Sequence, residues 1–153
     1  MKNKKVGIIG CGMIFPRHLE AVEANEEYEL VAICDTDQQA LDQKRNRLSV
    51  SSFTDYKQMV LQTGVDFIVI ATPNSQHYEQ AIFCLQNGCD VLIEKPATLN
   101  PKQIDDLVSY AESCQQNVYA VLQVRLNSCI QNLKYLLDNN LVGNVRGFSL
   151  VQR

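Results

Sequence analysis

Two glycines early in the sequence could hold the phosphates of a nucleotide cofactor. Gly10 closes a short apolar run, and Gly12 follows two positions later. The first glycine permits a tight turn, the second lets the backbone approach a pyrophosphate, and the free N–H groups of the next helix face the anion. Phe15 stands where the third glycine of the dinucleotide-binding fingerprint is expected. The pair alone is compatible with any tight strand-to-helix turn, but its position after the first strand of a βαβ unit favours cofactor binding.

An aspartate after the second apolar run could bind the adenosine ribose of the same cofactor. Asp35 follows that run directly and lies close to the roughly 20-residue spacing at which a ribose-binding acid is expected. A helix cap is the alternative, but Thr36 and Gln39 form a capping box that already accounts for the helix start. A carboxylate here accepts hydrogen bonds from two ribose hydroxyls and repels a 2′-phosphate, and Asp37 adds to the repulsion. The sequence therefore predicts NAD as the cofactor and disfavours NADP.

The elements that must position these residues follow an alternating pattern. Short apolar, β-branched runs recur at 6–10, 30–34, 67–71, 91–93 and 118–122. Nearly continuous apolarity is typical of strands that are buried on both faces of a sheet. Between the runs, apolar residues recur with the helical period, as Ala81 and Leu85 or Leu107 and Ala111 do. The pattern predicts an α/β fold, a Rossmann-type doubly wound parallel sheet covered by helices.

The pattern changes after Leu122, which indicates a domain boundary. The remaining segment predicts a helix, a turn at Gly143 and a strand from about Val145. The apolar residues of that helix share one side: Ile130, Leu133, Leu137 and Leu141. A lone helix and strand cannot bury their apolar faces by themselves. We therefore expect an NAD-binding domain over 1–122, followed over 123–153 by the incomplete start of an α/β C-terminal substrate and oligomerisation domain.

Composition argues against several classes of protein. A formal net charge of −3, with scattered Lys and Arg, leaves no electrostatic footprint for nucleic acid or an anionic membrane. The six cysteines include no C-x-x-C pair and lie mostly in apolar stretches, so we expect neither a metal site nor a disulfide framework. The N-terminal apolar stretch is too short for a signal sequence, and no run approaches the ~20 apolar residues of a membrane helix. We expect a cytoplasmic protein with reduced thiols.

Two further strand ends carry polar residues that become informative in combination. The segment 72–77 reads TPNSQH, and the segment 94–96 reads EKP. Each alone could be a loop with a helix cap or a solvated charge pair. Together with Gly10 and Asp35, they resemble the motifs of the Gfo/Idh/MocA family of NAD(P)-dependent oxidoreductases, which act largely on sugars and cyclitols. The resemblance runs the length of the chain and covers the family's Rossmann domain and the first helix and strand of its C-terminal domain.

The resemblance implies a set of cofactor-binding residues. At the pyrophosphate and the adenosine ribose, the implied residues are Gly10, Gly12, Met13, Ile14 and Asp35. Along the path from adenosine to nicotinamide they are Ala71, Thr72, Pro73, Asn74 and His77. At the nicotinamide ribose and the domain junction they are Glu94, Lys95, Gln123 and Arg125.

Lys95 is the residue that the resemblance implies for catalysis. Oxidation of an alcohol removes a hydride from carbon and a proton from oxygen, and an ammonium beside the oxygen stabilises the developing negative charge. Family members usually carry an Asp-x-x-x-His segment in the second domain, whose histidine is the general base. The only histidines here are His18, expected to be solvated or packed in the first helix, and His77. Neither matches that base, which we expect in a missing C-terminal half.

Within the family, the segments 10–22 and 121–126 are most similar to dehydrogenases that oxidise the 3-hydroxyl of UDP-N-acetyl-aminosugar uronates. Asn127-Ser128 departs from the His-Pro pair expected at that point. The leading interpretation is an NAD-dependent sugar or sugar-nucleotide dehydrogenase, homo-oligomeric in its full-length form, with this chain as its cofactor-binding half. Two alternatives stay open: a non-catalytic dinucleotide-binding module, and an inactive truncated fragment that exposes the apolar residues of its last helix and strand.

Overall fold

A computed structural model describes residues 3–147 and 149 of the chain. Its strands are β1 Lys4–Ile9, β2 Tyr28–Cys34, β3 Ser51–Phe53, β4 Phe67–Ile70, β5 Asp90–Ile93 and β6 Val118–Ala120. Its helices are α1 Phe15–Glu23, α2 Gln38–Arg45, α3 Tyr56–Thr63, α4 His77–Gln86, α5 Pro101–Cys114 and α6 Ser128–Asp138. Two short 3₁₀ turns lie at Asn74–Gln76 and Gln123–Leu126.

The six strands form one parallel sheet in the order β3-β2-β1-β4-β5-β6. The predicted Rossmann-type sheet is confirmed, and the strand order reverses between β1 and β4. Such a switch point opens a crevice at the carboxyl ends of the strands, where ligands bind in this architecture. β3 was not predicted, because this three-residue edge strand is partly exposed and contains no apolar run.

The central strands are apolar throughout because both faces of the sheet are covered. Ile8 and Ile33 pack into the core on one face, while Ile9 and Ile70 belong to the core on the other. Phe15 replaces the third glycine of the fingerprint without obstructing the turn, since its ring is only 1% exposed and lies in the first of these cores.

The start of α2 differs from the prediction. The sequence predicts Thr36 with Gln39 as the cap of this helix, but the N-cap is Asp37. The Asp37 Oδ1 atom accepts hydrogen bonds from the backbone N–H groups of Gln39 and Ala40 at 2.8 and 3.4 Å. The chain turns into the helix one residue later than the sequence pattern indicates, so the capping-box prediction is wrong.

Asp90 of β5 contacts β1 and the residue before β6 at the amino edge of the sheet, opposite the crevice. Its Oδ2 atom accepts a hydrogen bond from Lys4 Nζ at 2.9 Å, and its Oδ1 atom accepts two from Asn117 at 2.8 and 3.1 Å. Burial acts to raise the pKa of Asp90, but the hydrogen bonds from Lys4 and Asn117 outweigh it and hold that pKa below its usual value. The same hydrogen bond from Lys4 to Asp90 raises the pKa of Lys4.

We expect Asp90→Asn to lower the free energy of unfolding by about 1 to 2 kcal/mol at neutral pH. The effect is limited because Lys4 is half-exposed, and solvent weakens its ion pair with Asp90. A carboxyl with a lowered folded-state pKa stabilises the fold above its unfolded pKa of about 4 and loses that contribution as the pH falls through the folded value. The difference between variant and wild type should therefore shrink in acid. Urea unfolding at neutral pH and near pH ~3 measures both values. An equal difference at the two pH values would contradict this assignment.

The chain divides into two compact units, Met1–Val121 and Leu122–Arg153. In the second unit, the side chain of Asn127 caps α6 by accepting a hydrogen bond from the Cys129 N–H at 2.9 Å. The helix ends before Leu141, which was expected on its apolar side. Residues 145–147 are not in a strand, and the rest of the strand expected from Val145 falls largely outside the described residues.

None of the residues of α6 is buried. Among the residues that the structure describes, no helix combines the length and the apolar composition that crossing a membrane requires.

Candidate functional site

A cleft of about 540 Å³ opens at the switch point of the sheet. Six of the predicted site residues line this cleft: Gly10, Gly12, Asp35, Ala71, Thr72 and Pro73. Seven further residues also line it: Ile9, Cys34, Thr36, Thr54, Tyr56, Gln76 and Gln80. The carboxyl ends of β1, β2, β3 and β4 thus bring together four segments that are far apart in the sequence.

Gly10 makes the turn that brings the chain into the cleft. Its φ of +100° lies in the region that favours glycine, and a Cβ atom would meet the Ala71 carbonyl oxygen at 2.4 Å. At Gly12 a Cβ atom would meet nothing within 4 Å. The position beside the loop is therefore open space where an anion can approach the backbone. Next to it Met13 and Ile14 are exposed, Met13 almost completely at 99%.

Asp35 organises the floor of the cleft. Its Oδ2 atom accepts a hydrogen bond from the Cys11 N–H at 2.7 Å, and its Oδ1 atom accepts one from the Asp37 N–H at 2.9 Å. The sequence predicts no structural partner for this side chain, whereas in the structure the carboxylate joins the glycine turn to the start of α2. Each carboxylate oxygen has a second lone pair, so the group can also accept hydrogen bonds from ribose hydroxyls.

His77 lies beneath the cleft and is fully buried. Its Nδ1 atom is 2.9 Å from the Pro96 carbonyl oxygen, and its Nε2 atom is 2.8 Å from the Thr72 carbonyl oxygen. Each ring nitrogen of His77 therefore faces a backbone carbonyl, one in each of two loops. The ring thus connects the loop after β4 to the loop after β5 and keeps no nitrogen for direct contact with a cofactor.

The wall formed by α4 carries a short network of polar side chains. Thr72 Oγ1 donates a hydrogen bond to Gln80 Oε1 at 2.6 Å, and Gln80 Nε2 donates one to Gln76 Oε1 at 3.1 Å. Gln76 ends the 3₁₀ turn and Gln80 lies in the first turn of α4. Their i, i+4 spacing is the signal that could have identified the pair. Asn74 begins the 3₁₀ turn beside this wall and is exposed.

Tyr56 lines the cleft and is not among the predicted site residues. Burial raises the pKa of Tyr56 to about 12, and the hydroxyl has no hydrogen-bond partner among the described residues. A buried polar group without a partner is costly, so this hydroxyl is an energetic cost within the fold, and its burial shields it from a ligand in the cleft. The residue was missed because it follows β3, the strand without an apolar run.

The end of β5 presents the predicted Glu94-Lys95 pair. Glu94 Oε1 is 2.9 Å from His18 Nε2, and Glu94 Oε2 accepts a hydrogen bond from the Lys95 N–H at 3.0 Å. Lys95 is exposed, precedes a cis peptide bond to Pro96, and forms no ion pair within the described part of the chain. His18 is buried rather than solvated, which decides between the two roles expected for it.

Gln123 and Arg125 belong to the second compact unit, where both lie exposed in the 3₁₀ turn Gln123–Leu126. Their contact with a cofactor or substrate stays a prediction. Across residues 3–147 and 149, no group of three or more His, Cys, Asp or Glu side chains is arranged to hold a metal ion.

Known proteins resemble this chain in sequence. The profile of the Gfo/Idh/MocA family, described as an oxidoreductase family with an NAD-binding Rossmann fold, matches residues 4–122. The D-glucoside 3-dehydrogenase of Escherichia coli (strain K12) is 29% identical over 145 residues, which are 92% of this chain and 41% of that protein. The scyllo-inositol 2-dehydrogenase (NADP(+)) IolU of Bacillus subtilis (strain 168) is 28% identical over 147 residues, 95% of this chain and 44% of that protein. The chain thus spans less than half the length of these relatives.

Solved structures show the same fold. The WlbA dehydrogenase from Bordetella pertussis, in complex with NADH and UDP-GlcNAcA, matches with a TM-score of 0.88 and 29% identity over 94% of this chain and 42% of that one. The myo-inositol 2-dehydrogenase from Lactobacillus plantarum matches with a TM-score of 0.85 and 28% identity over 94% of this chain and 43% of that one. The family match confirms the resemblance drawn from the strand-end motifs, and the chain belongs to the Gfo/Idh/MocA family of oxidoreductases with an NAD-binding Rossmann fold.

Proposed function

We propose that this chain is the cofactor-binding part of an NAD-dependent dehydrogenase that transfers hydride between nicotinamide and a secondary hydroxyl of a sugar or sugar nucleotide. The observation that carries the proposal is the cleft at the switch point. There Gly10 makes a turn that favours glycine, the space beside Gly12 is open, and Asp35 lines the same cleft. These features fit a dinucleotide in a family of NAD-binding oxidoreductases.

The cofactor would lie along the carboxyl edge of the sheet. Its pyrophosphate would meet the glycine turn, including the exposed Met13 and Ile14, and its adenosine ribose would meet Asp35. The loop after β4 would lead towards the nicotinamide, and its residues are Ala71, Thr72, Pro73 and Asn74. His77 would support this loop from within the fold. The negative charge of Asp35 disfavours a 2′-phosphate, so we expect a preference for NAD, although one relative is named as an NADP(+) enzyme.

Lys95 is the proposed catalytic residue. When bound, NAD supplies the acceptor of the hydride. The exposed ammonium of Lys95 would lie beside the hydroxyl that loses its proton and would stabilise the negative charge on that oxygen. Both histidines are committed to contacts within the fold, His18 to Glu94 and His77 to two carbonyls, so we expect the general base outside this chain. Gln123 and Arg125 would contact the cofactor or substrate.

The substrate is proposed as a sugar or sugar nucleotide because the similar proteins are named for sugar and inositol substrates. A UDP-N-acetyl-aminosugar uronate is the finer proposal, supported by the similarity to the WlbA dehydrogenase. For a full-length form we further propose a homo-oligomer located in the cytoplasm.

A non-catalytic dinucleotide-binding module is the second candidate function. Both histidines are buried and contact groups within the fold, which favours this candidate for the chain as it stands. Both proposals require the same cleft, and they differ only in turnover.

Two measurements on the 153-residue chain test these proposals. NADH fluorescence should show saturable binding, and absorbance at the NADH band should show little turnover when NAD is offered with free sugars or a UDP-aminosugar uronate. No binding at millimolar NADH would contradict both candidates. Sustained turnover would support the dehydrogenase, reject the module and contradict our placement of the base outside the chain.

A further inference from the structure

His18 is the one side chain of α1 that makes a hydrogen bond to the end of β5. It lies on the buried face of the helix with Phe15 and Val22. Its Nε2 atom reaches Glu94 Oε1 at 2.9 Å across 76 residues of sequence. The side chains of His18 and Glu94 are 10% and 12% exposed, so the pair is largely shielded from water.

The carboxylate of Glu94 needs this partner. A nearly buried carboxylate is costly unless its oxygens accept hydrogen bonds. One oxygen accepts from the Lys95 N–H and the other faces His18, so the imidazole supplies the only side-chain partner of Glu94 among the described residues. Without His18, the carboxylate would gain hydration by turning towards solvent, and its bond to the Lys95 N–H would be released.

The arrangement also joins two parts of the cleft. α1 begins directly after the turn at Gly10 and Gly12, and Lys95 lies at the end of β5. His18 therefore connects α1, the helix after the glycine turn, to the backbone of Lys95 by way of Glu94. The sheet alone does not provide this connection, because β5 is separated from β1 by β4.

We propose that His18 is a positioning residue that fixes the backbone of Lys95 through the carboxylate of Glu94. The role assigned to Lys95 rests on the proposed function, but the connection from His18 to the Lys95 N–H does not. His18 touches neither the reacting atoms nor the cofactor in this assignment. Its effect is confined to the nicotinamide end of the site, whereas Asp35 acts at the adenosine end.

The first test is made on the free chain by amide hydrogen exchange. His18→Leu removes the hydrogen bond but keeps an apolar side chain of similar size, and His18→Gln retains an N–H donor near the position of Nε2. We expect exchange at the Lys95 amide to become about tenfold faster in His18→Leu and to stay within about twofold of wild type in His18→Gln. Amides in β2, far from Glu94 in the sheet, should be unaffected in both variants. An unchanged Lys95 amide in His18→Leu, or a uniform rise across the sheet, would overturn the proposal.

The second test uses ligand binding and separates this proposal from the proposed function. In His18→Leu, we expect the affinity for NADH to fall about tenfold and the affinity for ADP-ribose, which lacks nicotinamide, to stay within about twofold of wild type. His18→Gln should restore most of the NADH affinity. Glu94→Gln combined with His18→Leu should cost no more than the larger single effect, because both changes break one connection.

The outcomes of the two tests differ in what they contradict. Loss of NADH and ADP-ribose affinity in equal measure would overturn the proposal, since it would show a general effect on the fold. If the wild type bound neither ligand, the proposed function would fail, while the hydrogen-exchange result would still decide whether His18 positions Lys95.

Discussion

Gly10→Ala is expected to lower the free energy of unfolding by about 3 to 5 kcal/mol, because two unfavourable effects add at one atom. The backbone of Gly10 has a φ of +100°, which strains any residue with a side chain. The new Cβ would also lie 2.4 Å from the Ala71 carbonyl oxygen. Neither backbone can move away freely, since the Gly10 N–H donates to Cys34 at 2.7 Å and the Ala71 N–H donates to Ile9 at 2.7 Å.

Gly12→Ala is the matched control for this prediction. A Cβ at that position meets nothing within 4 Å, and the backbone is not in the left-handed region. We expect the free energy of unfolding of Gly12→Ala to stay within about 0.5 kcal/mol of wild type. The added methyl group should obstruct the approach of a pyrophosphate and so weaken NADH binding. Urea unfolding followed by circular dichroism measures stability, and NADH fluorescence measures binding. Equal stability losses in the two variants would refute the steric argument.

Asp35→Ala should lower the affinity for NADH about 30- to 100-fold, the loss expected when a charge-assisted, two-oxygen contact to a ribose disappears. The variant also deprives the Cys11 and Asp37 N–H groups of their acceptors, at 2.7 and 2.9 Å, which loosens the glycine turn. Asp35→Asn keeps one carbonyl oxygen and removes the charge. We therefore expect it to bind NADH with intermediate affinity and to raise the affinity for NADPH relative to NADH.

Asp37→Asn provides the control for the loss of charge near the ribose. Asparagine is as good an N-cap as aspartate, so α2 keeps its cap. The variant removes one negative charge at a position two residues after Asp35. The NADH affinity of this variant should stay within about twofold of wild type. If Asp37→Asn weakened NADH binding as much as Asp35→Asn, the assignment of the ribose contact to Asp35 would be wrong.

The apolar runs of the sequence were sufficient to predict most of the sheet. Strands buried on both faces need nearly continuous apolar residues, and β1, β2, β4 and β5 have them. β3 is a partly exposed edge strand of three residues, so no run announces it. Thr54 and Tyr56 follow β3 and therefore escaped notice, although they line the cleft beside residues that the strand-end rule had found.

Contacts between distant parts of the chain could not be predicted from spacing. The bond between His18 and Glu94 and the two carbonyl contacts of His77 join segments that meet only in the folded sheet. The shift of the α2 cap from Thr36 to Asp37 has a different cause. Both residues are suitable caps, and the path of the chain after Asp35 decides between them.

The position of His77 has a consequence for the order in which the site is completed during translation. A nascent chain that has emerged through α4 already contains Gly10, Asp35 and Thr72, but it lacks the Pro96 carbonyl that one ring nitrogen of His77 contacts. β5 must also emerge before that carbonyl can reach the ring. The segments that carry Gly10, Asp35 and Thr72 are therefore all synthesised before the carbonyl that joins His77 to the loop after β5, so this link between the two loops becomes available only after those segments have left the ribosome.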